Sequence, residues 1–248
     1  MVSLAPERLV PIMGMGMERR VCIVTGGSRG IGLAIASRFA AADGRVVIAA
    51  RDPSALTVAR ERVEAAGGEC EAVVTDVGTA AGARDLIAAA VKRFARVDVL
   101  VNNAGDAPLG PIADTGDEAF ADCLRANIGS VFFCTRSVWP VMRAGGGGTI
   151  VNLSSLASID PFPGFAVYGG TKAWVNTFTK AAADEGRPHG IRVLAVAPGA
   201  VETRMLRDHF PDFPASETLA PDDVARLVEA CCGPALAHSS GQTLFIRR

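Results

Sequence analysis

The chain has 248 residues, of which 49% are hydrophobic and 21% are charged, and its formal net charge is -1. This composition is enough to bury a large core, which excludes intrinsic disorder, and the charge is too close to neutral for a nucleic-acid surface. Small-molecule chemistry fits these values better than nucleic-acid binding.

The cysteines and histidines give no sign of a metal or disulfide site. The six cysteines show no CxxC spacing, and the three histidines stand apart in polar, turn-like contexts. Zinc sites and disulfide scaffolds need clustered ligands or regular spacing. We therefore expect no metal and six reduced thiols.

Residues 1–18 precede the first predicted strand and include a short apolar run. The densest positive charge follows this run, whereas a secretory signal carries it in front, and no run of 18 apolar residues occurs in the chain. We interpret residues 1–18 as a flexible leader and residues 19–248 as a single domain. We expect a cytoplasmic location, with no membrane or nucleic-acid partner.

Strand and helix patterns alternate along the rest of the chain. Apolar runs predict strands at 21–25, 45–50, 70–75, 97–101, 149–153, 191–197 and 243–246. Helical composition predicts helices at 33–42, 54–66, 80–94, 117–141, 166–185 and 221–231. The alternation predicts an α/β fold, a Rossmann-type doubly wound parallel sheet of about seven strands with helices on both faces.

Asn127 and Gly129 lie in the interior of the predicted helix 117–141. Both residue types are poor helix formers, so a local distortion of the helix is expected there.

A glycine-rich turn joins the first strand to the first helix. Glycine permits backbone conformations closed to other residues, and the N-terminus of a helix attracts phosphate. The spacing departs from the GxGxxG fingerprint, and a plain tight turn is the alternative, but the flanking strand and helix favour dinucleotide binding. The candidate binding residues of this turn are Gly26, Ser28, Arg29, Gly30, Ile31 and Gly32.

The second predicted strand is followed by Arg51. An acidic residue here would bind the adenosine ribose hydroxyl, whereas an arginine favours a 2'-phosphate. Arg29 could converge on the same phosphate, so we expect NADP(H) to be preferred and NAD(H) to be possible. The alternative is that both arginines only cap or solvate the surface.

Tyr168 is the only tyrosine, and Lys172 follows it by four residues in a predicted helix. This spacing places both side chains on one helix face. An ammonium beside a phenol stabilises the phenolate and lowers a pKa that is ordinarily about 10. The pair is then a proton donor and acceptor, unless Tyr168 only caps the helix and Lys172 is a solvated charge.

Further motifs follow the later strands. Together with the glycine turn they are Asp76-Val77, Asn102-Asn103-Ala104-Gly105, Asn127, Ser155, Tyr168 with Lys172, and Pro198-Gly199 followed by Thr203. With these motifs in this order and spacing, residues 20–243 resemble the short-chain dehydrogenase/reductase family, in its compact single-domain branch, and are similar to 3-oxoacyl-[acyl-carrier-protein] reductase members.

The resemblance implies a catalytic tetrad of Asn127, Ser155, Tyr168 and Lys172. Ser155 is preferred because it precedes Tyr168 by thirteen residues, the interval found in similar proteins, and Ser154 is the fallback. The resemblance also assigns cofactor-binding positions around the adenine, along the cleft and near the nicotinamide. These are Asp76, Val77, Asn103, Ala104, Gly105, Tyr168, Lys172, Pro198, Gly199, Val201 and Thr203.

The implied function is that of an NADP(H)-dependent oxidoreductase acting on a ketone or secondary alcohol, with a 3-oxoacyl thioester among the candidates. Tyr168 would protonate the carbonyl oxygen that Ser155 orients, while NADPH gives hydride to the carbon. Asn127 would position Lys172 through a water. The alternative is a non-catalytic nucleotide-binding sensor or scaffold with the same fold.

The partners expected are a small carbonyl or alcohol substrate and a second copy of the chain, as a dimer or tetramer. The C-terminus departs from the Asp-Gly-Gly segment with which many relatives continue, which favours a dimer through the helices predicted at 117–141 and 166–185. Residues 203–214 are interpreted as a mobile flap. Phe162, Phe165 and Met205 either line an apolar pocket or are ordinary packing residues.

Overall fold

A computed structural model describes residues 19–248, so the predicted leader lies outside the described part of the chain. Its strands are β1 (Val21–Thr25), β2 (Arg45–Ala50), β3 (Glu69–Val74), β4 (Val99–Asn102), β5 (Gly148–Leu153), β6 (Ile191–Pro198) and β7 (Thr243–Ile246). Its α-helices are α1 (Gly30–Ala41), α2 (Pro53–Ala65), α3 (Ala80–Phe94), α4 (Asp117–Leu124), α5 (Ser130–Ala144), α6 (Ala166–Gly186), α7 (Arg204–His209) and α8 (Pro221–Cys232).

All seven strands of the described residues join one sheet in the order β3-β2-β1-β4-β5-β6-β7. Every pairing is parallel. The predicted fold class is confirmed. The chain order reverses between β1 and β4, and in such sheets ligands bind in the crevice outside the carboxyl ends of the strands at this point.

The inner strands are apolar on both faces because helices cover both faces of the sheet. Cys22 and Val24 of β1 belong to a buried cluster with α1, α2 and α8. Their neighbours Val21 and Ile23 belong to a second cluster with α3, α5 and α6. The period of two along a strand therefore divides the core into two layers.

The predicted helix 117–141 is interrupted where Asn127 and Gly129 were expected to distort it. A π-helical turn, Arg125–Gly129, separates α4 from α5. Such turns add a residue to the helix and are frequent at functional sites. The expected distortion is confirmed, and it presents Asn127 from the inner side of the helix, where its side chain is fully buried.

Two of the absences expected from the sequence concern membrane and metal. Across residues 19–248 no helix is long and apolar enough to cross a membrane. The same residues contain no group of three or more His, Cys, Asp or Glu side chains that could hold a metal ion. All six cysteines are free and buried.

The glycine turn yields a test of the close packing between β1 and α1. A methyl group added at Gly32 would collide with the Gly26 carbonyl oxygen and lie 2.5 Å from Asn103 Nδ2. Overpacking of this kind costs about 1–3 kcal/mol, so Gly32→Ala should lower the free energy of unfolding by about that amount. Urea denaturation monitored by circular dichroism measures it.

Gly170→Ala is the matched control, because Gly170 lies in α6 with nothing within 4 Å of the added methyl group. In a helix this change should be neutral or stabilise by about 0.5–1 kcal/mol. Equal stabilities for the two variants would contradict the packing described here.

Candidate active site

The glycine turn leaves the N-terminus of α1 open. Gly26 and Gly30 have positive φ angles of 65° and 54°, and the Arg29 side chain makes no capping hydrogen bond to the helix. No acidic residue lies in the first turn of α1. Unpaired amide groups at an uncapped helix N-terminus form an anion-binding site, so the turn fits a pyrophosphate.

Thr25 and Asn103 lock this turn to the segment that follows β4. The Thr25 hydroxyl accepts hydrogen bonds from the amides of Asn103 and Ala104, both at 3.0 Å. The Asn103 side-chain amide donates to the carbonyl oxygens of Thr25 and Gly26. The Asn103 side chain therefore fixes the backbone of the glycine turn. Thr25 is a site residue that was not predicted from the sequence.

Arg29 and Arg51 extend from the same end of the sheet and are both exposed. Among the described residues, neither guanidinium has an ion pair or a side-chain hydrogen bond. The neighbouring Asp52 instead caps α2, accepting from the amides of Ser54 and Ala55 at 2.9 and 3.1 Å. Both cations are thus unpaired and available to an anion.

Asp76 and Val77 follow β3, with Val77 buried and Asp76 partly exposed. The Asp76 carboxylate accepts from the Gly78 amide at 2.9 Å and is ion-paired with Arg125. Arg125 belongs to the π-helical turn that carries Asn127, so the segment after β3 is fastened to the turn that holds this asparagine. No spacing in the sequence indicated this pair.

Asn127 is held by the segment that follows β4. Its side-chain amide donates to the Asp106 carbonyl at 2.7 Å and to the Cys123 carbonyl at 3.0 Å. Gly105, which precedes Asp106, also lies against this side chain: an added methyl group there would lie 2.6 Å from Asn127 Oδ1 and 3.5 Å from Lys172 Nζ. Only glycine leaves room between Asn127 and Lys172.

Lys172 is buried, with 5% of its surface exposed. Its ammonium donates to the Leu153 carbonyl at the end of β5 at 2.8 Å and lies 5.6 Å from the centre of the Tyr168 ring. The Ser154 hydroxyl donates to the Lys172 carbonyl at 3.1 Å. Ser154 therefore fastens α6 to β5, and Ser155 is the serine that faces the phenol.

Burial dominates the ionisation of Tyr168. It raises the pKa of the phenol to about 12, against the opposing effect of a side-chain hydrogen bond with Ser155. Burial also lowers the pKa of Lys172 to about 8. The expectation of a lowered phenol pKa is therefore wrong for this structure, because desolvation outweighs the hydrogen bond with Ser155. At neutral pH the phenol is protonated and the amine is charged.

Ser155 is positioned from α6 through a second serine. The Asn176 side-chain amide donates to the Ser158 hydroxyl at 2.8 Å, and that hydroxyl donates to the Ser155 carbonyl at 2.6 Å. The Ser155 hydroxyl accepts from the Ala157 amide at 3.2 Å. We call residues 154–158 the serine loop. Asn176 lies one helical turn beyond Lys172, but its role becomes visible only because the serine loop packs against this part of α6.

The segment after β6 closes the other side of the crevice. Pro198 ends β6, the Gly199 amide donates to the Ile246 carbonyl at 2.9 Å, and Val201 bridges to Leu219. Thr203 caps α7, and its methyl carbon would lie 3.4 Å from a methyl group added at Gly30. Thr203 is thereby placed directly against the glycine turn, whereas Gly199 and Val201 pair with other backbone segments.

Two groups of residues therefore meet at the carboxyl edge of the sheet. One group surrounds the glycine turn and is suited to bind a dinucleotide through its anionic pyrophosphate. The other surrounds Tyr168 and is suited to proton transfer to an oxygen atom of a small molecule. Asn127, Ser155, Tyr168 and Lys172 lie together in this second group, on the π-helical turn, the loop after β5 and α6.

Comparison with known proteins shows which family the chain resembles over most of its length. The family model described as short chain dehydrogenase matches residues 20–213. The human protein named dehydrogenase/reductase SDR family member 4 is 32% identical, over 96% of this chain and 91% of its own length.

Solved structures agree in fold. The 3-ketoacyl-(acyl-carrier-protein) reductase from Brucella melitensis complexed with NADH superposes with a TM-score of 0.86 at 31% identity, covering 94% of this chain and 98% of that one. The L-sorbose reductase from Gluconobacter frateurii complexed with NADPH and L-sorbose gives 0.87 at 29%, covering 94% and 97%.

Because Tyr168 is the only tyrosine, its ionisation can be followed directly. Ultraviolet difference spectroscopy of tyrosinate should show a midpoint near pH 12 in the folded protein, because burial raises the pKa. The urea-unfolded chain, as control, should titrate near the ordinary value of about 10. A folded-state midpoint at or below that of the unfolded chain would contradict the dominance of burial.

Proposed function

Since the chain belongs to the short-chain dehydrogenase family, whose members are oxidoreductases, we propose that it transfers hydride between NADP(H) and a ketone or secondary alcohol, with Tyr168 as the general acid and base. The observation that carries the proposal is the phenol of Tyr168 held between Ser155 and Lys172 at the crevice of the sheet. The relatives complexed with NADH and NADPH support a dinucleotide cofactor.

The residues divide the work of reduction between them. Bound nicotinamide supplies the hydride. Tyr168, protonated at neutral pH, donates its proton to the carbonyl oxygen, and Ser155 orients that oxygen by a hydrogen bond. The buried ammonium of Lys172 stabilises the phenolate that remains, and Asn127 shapes the space around Lys172 together with Gly105. In the oxidative direction each proton transfer is reversed.

Arg29 and Arg51 support NADP(H) as the preferred cofactor. Both are exposed, and the described residues give neither of them an anionic partner. A 2'-phosphate would supply that partner through charge-assisted hydrogen bonds. Asp52 does not compete, because its carboxylate caps α2.

The sensor or scaffold alternative is not favoured. A binding module needs the glycine turn but not a buried lysine whose pKa burial lowers to about 8. Buried ionisable groups are costly and concentrate at catalytic sites.

The cytoplasmic location stays a prediction.

Tyr168→Phe tests the assigned role. Removal of the proton donor should lower kcat by about 10²–10⁴-fold while NADPH binding is retained, because general acid catalysis contributes that much. NADPH oxidation with a panel of ketones and oxoacyl thioesters measures turnover, and NADPH fluorescence titration measures binding. Turnover close to that of the unchanged protein would refute the role.

Arg51→Asp tests the cofactor preference. The ratio of kcat/KM for NADPH to that for NADH should fall about 10–100-fold, since a charged hydrogen bond contributes about 1.5–3 kcal/mol. Arg62→Asp is the matched control, because Arg62 is exposed in α2 and carries the same charge. An unchanged ratio in Arg51→Asp would leave the 2'-phosphate without its proposed partner.

We also propose a dimer through α5 and α6, which present a shared aromatic surface. Trp174 and Phe178 stack with ring centres 4.8 Å apart, Phe132 lies 6.3 Å from Phe178, and the Arg136 guanidinium covers Phe132 at 5.3 Å. Phe132 is 39% exposed despite these contacts. Apolar patches of this kind mark protein interfaces.

Phe132→Asp should therefore convert a dimer into a monomer, because a buried unpaired charge opposes association. Light scattering after size-exclusion chromatography measures the mass. Val58→Asp, at an exposed apolar position of α2, should leave the dimer intact. A monomeric unchanged protein, or a dimeric Phe132→Asp, would exclude this interface.

A further inference from the structure

A cluster of phenylalanine rings adjoins the phenol through Phe165. Phe165, immediately before α6, has its ring centre 5.4 Å from that of Tyr168. Phe162 lies 6.1 Å from Phe165 on the same loop, and Phe210, just after α7, lies 5.9 Å from Phe165 in an edge-to-face arrangement. Three phenylalanines from two separate segments thus converge beside the proposed proton donor. We call Phe162, Phe165 and Phe210 the aromatic wall.

Phe210 is held in place by Arg207. The Arg207 guanidinium is ion-paired with Glu202 and donates to the carbonyls of Pro211 and Phe213, at 3.1 and 2.6 Å. The chain therefore turns tightly around Phe210, whose own amide donates to the Leu206 carbonyl at 2.7 Å. Hydrogen bonds thus hold the segment on both sides of Phe210, and the mobility expected of residues 203–214 stays a prediction.

The aromatic wall leaves apolar surface open to solvent. Phe162 is 57% exposed and Ile159, on the same loop, is 64% exposed, although the adjoining Phe165 is buried. Gly164, in the same loop, packs against the Leu109 side chain, and its carbonyl accepts a hydrogen bond from the Gly110 amide at 3.1 Å. Exposed apolar side chains next to polar catalytic groups are the usual lining of a small-molecule pocket.

The charges of the adjoining helix do not favour an anionic ligand. Arg204 is ion-paired with Asp208 at 3.3 Å, and Arg207 is committed to Glu202. Both arginines of α7 are thus neutralised within the segment. The carboxylates of Asp106, in the segment after β4, and of Asp160, in the loop that carries Phe162, are exposed and add no positive charge.

We propose that the substrate is a neutral ketone, or the matching alcohol, whose reacting carbon carries a bulky apolar group that packs on the aromatic wall. Phe210 is the specificity-determining residue, because the Arg207 contacts hold it against Phe165. The inference rests on the proposed oxidoreductase function and narrows it. It separates this chain from a reductase of polyhydroxylated sugars, which would require hydrogen-bonding groups where the aromatic wall stands.

A matched series of methyl ketones tests the proposal. The probes are 2-butanone, 4-phenyl-2-butanone and 4-cyclohexyl-2-butanone, which share the reacting group and differ in the apolar substituent, with L-sorbose as the polar ketose. NADPH oxidation gives kcat/KM for each. The phenyl and cyclohexyl ketones should exceed 2-butanone by about 10-fold or more, since even one methylene group in an apolar pocket contributes about 10-fold.

Variants of Phe210 locate the effect. Phe210→Ala should reduce the preference for 4-phenyl-2-butanone over 2-butanone to below about threefold, and Phe210→Leu, which keeps apolar volume, should restore part of it. Phe245→Ala is the control, because Phe245 is a 44% exposed phenylalanine on β7. Thermal unfolding of each variant verifies that it is folded.

The outcomes separate this inference from the function on which it rests. Equal kcat/KM for the three methyl ketones, a preference for L-sorbose, or an unchanged preference in Phe210→Ala would overturn the inference while leaving an active oxidoreductase. Absence of NADPH oxidation with every carbonyl compound, despite NADPH binding, would overturn the proposed function itself and the inference with it.

Discussion

The burial of one ammonium group constrains the whole site. Lys172 is 5% exposed and has the carbonyl of Leu153 as its hydrogen-bond acceptor at 2.8 Å. Burial lowers its pKa from 10.5 to about 8, which corresponds to roughly 3 kcal/mol of destabilisation of the charged form. The hydrogen bond to the Leu153 carbonyl offsets part of this cost, and it requires α6 to stay packed against the end of β5. The hydrogen bond from the Ser154 hydroxyl to the Lys172 carbonyl holds α6 in this position.

The burial of this site explains why the sequence predicted the position of the Tyr168 phenol but not the direction of its pKa shift. The four-residue spacing of Tyr168 and Lys172 correctly indicated a shared helix face. The pKa depends on how much protein covers each group, and that coverage comes from α4, the π-helical turn and the serine loop. None of these is local to the YxxxK stretch, so its sequence could not show that desolvation would prevail.

The other parts of the site also divide into features set by local sequence and contacts between residues distant in sequence. The parallel fold, the glycine turn and the distortion at Asn127 follow from local preferences of glycine, asparagine and apolar runs, and they were predicted from the residues. The Asp76–Arg125 ion pair and the Asn176–Ser158–Ser155 contacts join positions far apart in sequence. Ordinary polar residues carry these contacts, and a single sequence does not distinguish them from solvated surface residues.

Helix α6 carries the residues of the proposed reaction along one of its faces. Tyr168, Lys172 and Asn176 follow one another at intervals of four residues, so they lie one above the other on the side that meets β5 and the serine loop. Phe165 continues this line before the helix begins. The order along the axis is therefore Phe165 of the aromatic wall, the proposed proton donor, the ammonium and the amide that contacts the Ser155 loop. Trp174 and Phe178 occupy the remaining side of α6, which keeps the proposed dimer surface and the proposed chemistry on separate faces of one rigid element.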